Sequence, residues 1–110
     1  MGKAKRDVLQ GTLDLLILKV LGEEPLHGWG VAKRIQQASR EVLRINQGSL
    51  YPALYRLQDR GLVRARWDEP GDGRPVKVYK LTARGRRELE TEREHWMMMS
   101  TAVNEVLQSG

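Results

Sequence analysis

The chain has 110 residues, no cysteine and a net charge of +5, from 19 Lys and Arg against 14 Asp and Glu. That length allows one small domain with room for an appended element, and the missing thiols exclude disulfides and thiolate metal sites. The longest apolar run, LLILKVL, is interrupted by Lys19 and too short to cross a bilayer.

In MGKAKRDVL the basic residues are not followed by the apolar core and cleavage site of an export signal. Ala4-Lys5-Arg6 also departs from the pattern that myristoylation prefers. The expectation is a soluble cytoplasmic protein with no membrane association.

Asp7-Val8-Leu9-Gln10 has the form of a capping box, and Thr12 offers a second cap. From either start, Leu9, Leu13, Leu16, Ile17, Val20 and Leu21 line one face of a first helix, and Leu15 and Leu18 widen it. Gly22 and Pro25 predict its end. A second helix opens at His27-Gly28-Trp29-Gly30, with Val31, Ile35 and Ala38 on its inner face. Its early glycines suggest close approach to another element, and His27 reads as a residue of the helix start.

The third helix, 46–60, carries Leu50, Leu54 and Leu57 at i, i+4, i+7 and stops at Gly61. Either Asn46 or Ser49 can cap it. With Asn46 as cap, Pro52 costs one backbone hydrogen bond; with Ser49 it falls in the first turn, where no partner is available. A loose turn at 46–49 leading into a regular helix fits best. Val63, Ala65 and Trp67 then alternate with Arg64 and Arg66 as a strand. Glu69 to Pro75 is turn chemistry, Val76 to Leu81 a second strand, and Thr82 caps a last helix reaching about Gln108.

The predicted fold is mainly α with a β-hairpin wing: a winged helix-turn-helix domain at 1–82 and a long C-terminal helix at 83–110. In such a motif the N-terminal end of the second helix faces the bases of the major groove. Here that end supplies Gln47, Gly48, Ser49, Tyr51 and Pro52, followed by Tyr55 and Arg56. Gln and Arg can read base edges, a proline ring can touch a thymine methyl, and hydroxyls hold phosphates. For Tyr55 a half-buried packing role competes evenly. In the wing, 68–77, Arg74 projects from a glycine-rich turn with Lys77 beside it, suited to the backbone or the minor groove.

Charge supports this placement. Arginines 40, 44, 56, 60, 64 and 66 and the run Arg74, Lys77, Lys80, Arg84, Arg86, Arg87 make the middle of the chain basic, whereas Glu88, Glu90, Glu92 and Glu94 reverse the sign.

QGTLDLLILKVL, PLHGWGVAKRI, QGSLYPALYRLQDRGLV and GRPVKVYKLTARGRREL together resemble the PadR-like transcriptional regulators, in particular the short branch with a single C-terminal helix. The resemblance spans residues 10–89. It departs at Trp29, where many relatives have tyrosine, and at Val78-Tyr79, where many have two tyrosines. It implies a dimeric winged-helix protein that binds operator DNA, usually as a repressor. Its DNA-facing positions map onto Ser49, Tyr51, Pro52, Arg74 and Lys77.

With Leu89 at heptad position a, Trp96 and Val103 follow at a, Met99 and Val106 at d and Leu107 at e, with Glu92 the polar residue at d. This stripe predicts a homodimer arm; folding back onto its own domain is the weaker reading. Trp96 and Met99, within His95-Trp96-Met97-Met98-Met99, could also enclose a small aromatic effector, as the resemblance to some short members implies, although interface packing explains them more simply.

An enzyme is not expected. His27 and His95 lie in different elements, no nucleophile–base spacing or phosphate loop occurs, and neither a metal nor a cofactor is called for. The rival reading is a basic winged-helix module for protein or RNA contact.

Overall fold

A computed structural model describes residues 2–69, 71 and 73–110, with side chains described from Gly11 onward except at 70 and 72. Its elements run α1 (Gly2–Glu23), β1 (Leu26–His27), α2 (Gly28–Ala38), α3 (Gln47–Asp59), β2 (Val63–Asp68), β3 (Val76–Leu81) and α4 (Ala83–Gln108). The helix-turn-helix is α2 and α3, and the wing is β2 and β3. The sheet has three strands in the order β1-β3-β2, all antiparallel.

Three differences from the sequence reading have local causes. Helix α1 already includes Gly2, so Asp7 and Thr12 lie inside it rather than at its start. The cap side chain of Asp7 and the facing of Leu9 lie outside the described residues, as do Pro70 and Asp72 of the wing turn. The hairpin gains a third strand because Leu26 and His27 pair with Tyr79 and Val78. Ala38, expected on the inner face of α2, is exposed in the last turn, where the helix has left the core.

The core lies where α1 crosses the helix-turn-helix and the sheet. Ile17, Leu18, Val20 and Leu21 of α1 meet Val31 and Ile35 of α2, the α3 leucines with Ala53, and Leu62, Val63, Tyr79 and Leu81 around the sheet. Leu15 and Leu16 pack partly against it. Each fully buried leucine contributes about 1.5–3 kcal/mol relative to exposure.

Local chemistry fixes the helix ends that matter. His27 Nδ1 accepts the Gly30 N–H at 3.0 Å and starts α2. Asn46 Oδ1 accepts the Ser49 N–H at 2.9 Å and starts α3, so Asn46, not Ser49, is the cap. Pro52 is therefore the sixth residue of the helix, and the bond its nitrogen would have given to Gly48 is lost. At the other end the Leu62 N–H donates to the Leu57 carbonyl and the Gly61 N–H to that of Gln58. This paired closure requires a left-handed residue, and Gly61 supplies it at φ 74°. Thr82 Oγ1 accepts the Gly85 N–H at 2.9 Å and starts α4.

The first turns of α4 belong to the winged domain. Leu89 is only 8% exposed and sits in the core, so its assignment to a dimer stripe is corrected. The heptad pattern misleads here because the same apolar stripe meets the body of its own protomer first. Beyond Glu92 the helix runs on beside the start of α1, where Trp96 and Met99 line a hollow with Gly11, Thr12 and Leu15, and Trp96, Met99, Val103, Val106 and Leu107 are exposed.

Candidate nucleic-acid interface

Because Leu50, Ala53, Leu54 and Leu57 all face inward, the other side of α3 is committed to solvent. Gln47, Gly48, Ser49 and Pro52 are exposed at its N-terminal end. Tyr55 is 72% exposed, which removes the half-buried packing role. Tyr51 is 43% exposed, with one ring edge set against α2. A methyl group added at Gly28 would lie only 2.7 Å from Tyr51 Cε1 and 2.9 Å from its hydroxyl oxygen. The glycine at the start of α2 is thus what lets α2 and Tyr51 approach, as the sequence suggested.

Arg56 is placed differently from its neighbours. Its guanidinium donates to Asp14 Oδ1 of α1 at 2.9 Å, across 42 positions of sequence. Burial pushes the Asp14 carboxyl above the ordinary carboxylate range, and Arg56, by charge and hydrogen bond, and Arg60 only partly offset it. Arg56 therefore braces α3 against α1. Arg60 at the α3 C-cap lies 3.4 Å from Glu88 of α4 and braces the other end.

In the wing, Arg74 is exposed near the tip and Lys77 is half-buried lower on β3. Lys77 stands directly across from Trp67, and its ammonium lies 5.8 Å from the centre of the Tyr79 ring. Burial raises the Tyr79 phenol above its ordinary value, and neighbouring Tyr51 adds to the effect, so Tyr79 stays neutral at physiological pH.

Tyr51 and Lys77 share a cleft of about 610 Å³ with His27, Gly28, Trp29, Trp67, Val76 and Tyr79. Trp29 and Trp67 did not emerge as site residues from the sequence. The usable signal was the length of β2: its alternation continues to Trp67, past the edge of any core that one small domain can build.

On α4, a smaller hollow of about 220 Å³ brings Trp96 and Met99 to Gly11, Thr12 and Leu15 of α1, with Glu92 and His95 on its rim. Burial raises the Glu92 carboxyl, a hydrogen bond with Glu88 and that residue's charge raise it further, and His95 and Arg60 pull it back.

The α2–α3 pair with the β2–β3 wing is the winged helix-turn-helix of DNA-binding regulators of transcription. The chain belongs to the transcriptional regulator PadR-like family, whose model matches residues 17–91. It is 34% identical to the transcriptional regulator Rv3488 of Mycobacterium tuberculosis, over 80% of this chain and 78% of that protein. Against the transcriptional regulator YqjI of Escherichia coli it is 30% identical over 93% of its own length, but spans only 47% of YqjI. A PadR-like transcriptional regulator of Bacillus cereus superposes with a TM-score of 0.77 at 29% identity, covering 94% of this chain and 99% of that one. No described helix is long and apolar enough to cross a membrane.

Proposed function

We propose that the protein is a homodimeric repressor that binds a palindromic operator and is released by a small aromatic effector. Each protomer inserts the N-terminal end of α3 into a major groove. Gln47, Gly48, Ser49, Pro52 and Tyr55 meet the duplex there, Tyr51 holds a phosphate at the edge of α2, and Arg74 and Lys77 hold the backbone from the wing. Arg56 acts one step back, keeping α3 at its angle through Asp14.

The observation that carries this reading is the division of α3: four residues sealed in the core, and the opposite face polar and open. The dimer rests on Trp96, Met99, Val103, Val106 and Leu107, an apolar stripe of which the protomer leaves half or more open. A second copy would cover them and place two readers about one helical turn, roughly 34 Å, apart. The hollow at Trp96 and Met99 is where a planar effector would stack.

Equilibrium binding to a palindromic duplex, a random duplex and an RNA hairpin tests the reading. The palindrome should win, and its affinity should fall steeply as salt rises. Tyr51→Ala and Arg74→Glu should weaken binding while the dimer survives. Wild-type affinity in both variants would remove α3 and the wing from the interface, and equal affinity for the RNA hairpin would favour the rival module.

A further inference from the structure

Two of the three tryptophans stand on the side of the winged domain that carries the open end of α3, and both are largely exposed. Trp29 is 58% exposed at the start of α2, and Trp67 is 69% exposed on β2. Both line the cleft between α2, the first turns of α3 and the wing. Single exposed apolar residues are ordinary, but two indoles lining one cleft with polar residues at its rim form the kind of patch that marks an interaction surface.

The Trp29 ring is held by its neighbours, and the position of Trp67 is set by the sheet. The His27 ring stacks on Trp29 with centroids 5.8 Å apart and planes 14° from parallel, and the Lys33 ammonium lies 4.7 Å from the indole centre. Trp67 is held by strand register opposite Lys77, two positions along β2 from Ala65, which pairs with Tyr79.

The charge of the cleft selects its occupant. Its lining contains aromatic rings, an imidazole and the Lys77 ammonium and, among the described residues, no carboxylate. Lys33 extends the same sign past Trp29. An anionic ligand with apolar edges fits this chemistry, and a deoxyribose–phosphate strand has both. Between the groove that receives α3 and the groove that the wing reaches, one such strand has to pass over the space between the two elements.

We infer that Trp29 and Trp67 are DNA contacts, clamping the sugar–phosphate strand that crosses this cleft. The indole faces cover deoxyribose C–H groups, and each Nε1–H is a donor for a phosphate oxygen. Lys77 and Lys33 supply the charge, and the two rings exclude water from around it. This inference rests on the operator-binding reading above and assigns it two residues that the groove-reading helix does not contain.

The experiment is duplex binding over a salt series with Trp29→Ala, Trp67→Ala, Trp67→Phe and Lys77→Ala, beside Tyr51→Ala and Arg74→Glu. All four cleft variants alter exposed or half-exposed side chains, and circular dichroism confirms their folding. Each tryptophan-to-alanine change should weaken the operator complex about fivefold or more. The slope of affinity against salt should stay at its wild-type value, because an indole releases no counterion. Lys77→Ala should lower that slope by about one phosphate contact, and Trp67→Phe should retain most of the affinity.

Wild-type affinity in both tryptophan variants, with loss in Tyr51→Ala and Arg74→Glu, would overturn the clamp and leave the operator reading intact. A reduced salt slope in the tryptophan variants would also overturn it, since the rings would then only be holding the lysines in place. Equal competition by a single strand of the same sequence would assign the rings to unpaired bases instead of a duplex backbone. If all of the variants bind as wild type, the operator reading itself fails.

Discussion

Gly28→Ala isolates the contact between α2 and Tyr51. The added methyl carbon would lie 2.7 Å from Tyr51 Cε1, 2.9 Å from the hydroxyl oxygen and 3.0 Å from Cζ. Carbon atoms prefer about 3.5–4.0 Å, so the ring has to retreat by roughly 1 Å and carry its hydroxyl with it. The atoms in the way belong to the far end of a half-exposed side chain, so the domain absorbs the change. Overpacking costs about 1–3 kcal/mol, here at the low end, and replacing a helical glycine by alanine returns up to about 1 kcal/mol. Stability should therefore change by no more than about 1 kcal/mol in a denaturant titration.

Operator affinity should respond more. A hydroxyl-to-phosphate bond, with its charged acceptor, is worth about 1.5–3 kcal/mol net, so each half-site loses about tenfold to a hundredfold, and two half-sites multiply the loss. Fluorescence anisotropy with a labelled operator reads it. Gly30→Ala is the control, because its nearest neighbour, His27 Cε1, lies at an ordinary 3.4 Å. Wild-type binding by Gly28→Ala, with loss in Tyr51→Ala, would refute a role for this contact in placing the Tyr51 hydroxyl.

Leu54→Ala empties a fully buried site in α3 and should cost about 2–5 kcal/mol, measured by urea denaturation; a cost below about 1 kcal/mol would contradict the core described. Val103→Glu should shift the protein from dimer to monomer in sedimentation without loss of helicity, whereas Leu89→Ala should lower protomer stability, because Leu89 lies in the core. Burial raises the Asp14 carboxyl, so its contribution to stability is fully present below the ordinary carboxyl range and is lost as pH rises through its folded value. Stability of Asp14→Asn relative to wild type should accordingly improve as pH climbs from the ordinary carboxyl range upward, and a pH-independent gap would count against that burial.

What could be read from the residues was whatever short-range pattern encodes. Leu50, Leu54 and Leu57 recur at helical spacing, and His27, Asn46, Gly61 and Thr82 punctuate the helices as their chemistry allows. From those, the winged helix-turn-helix order follows. Strand β1 escaped because two residues are too few to show a period, and only pairing with Tyr79 and Val78 makes Leu26 and His27 a strand.

The candidate site was legible in so far as the α3 pattern predicts which of its residues are exposed, and obscure wherever distance in sequence decides. Nothing near Arg56 announces that Asp14, on another helix, holds its guanidinium. Leu89 continues the apolar stripe of α4, and its burial depends on where the helix leaves the body. Trp67 obeys the strand alternation, yet the hairpin outruns the core before reaching it, which turns an apparent packing residue into an exposed one.

A footprint of the purified protein on DNA, repeated with Tyr51→Ala, tests most directly whether the open face of α3 reads a duplex in two copies. The account predicts a protected site of two-fold symmetry with half-site centres about 34 Å apart, and its loss in the variant. Protection without symmetry, or an unchanged footprint in Tyr51→Ala, would contradict it.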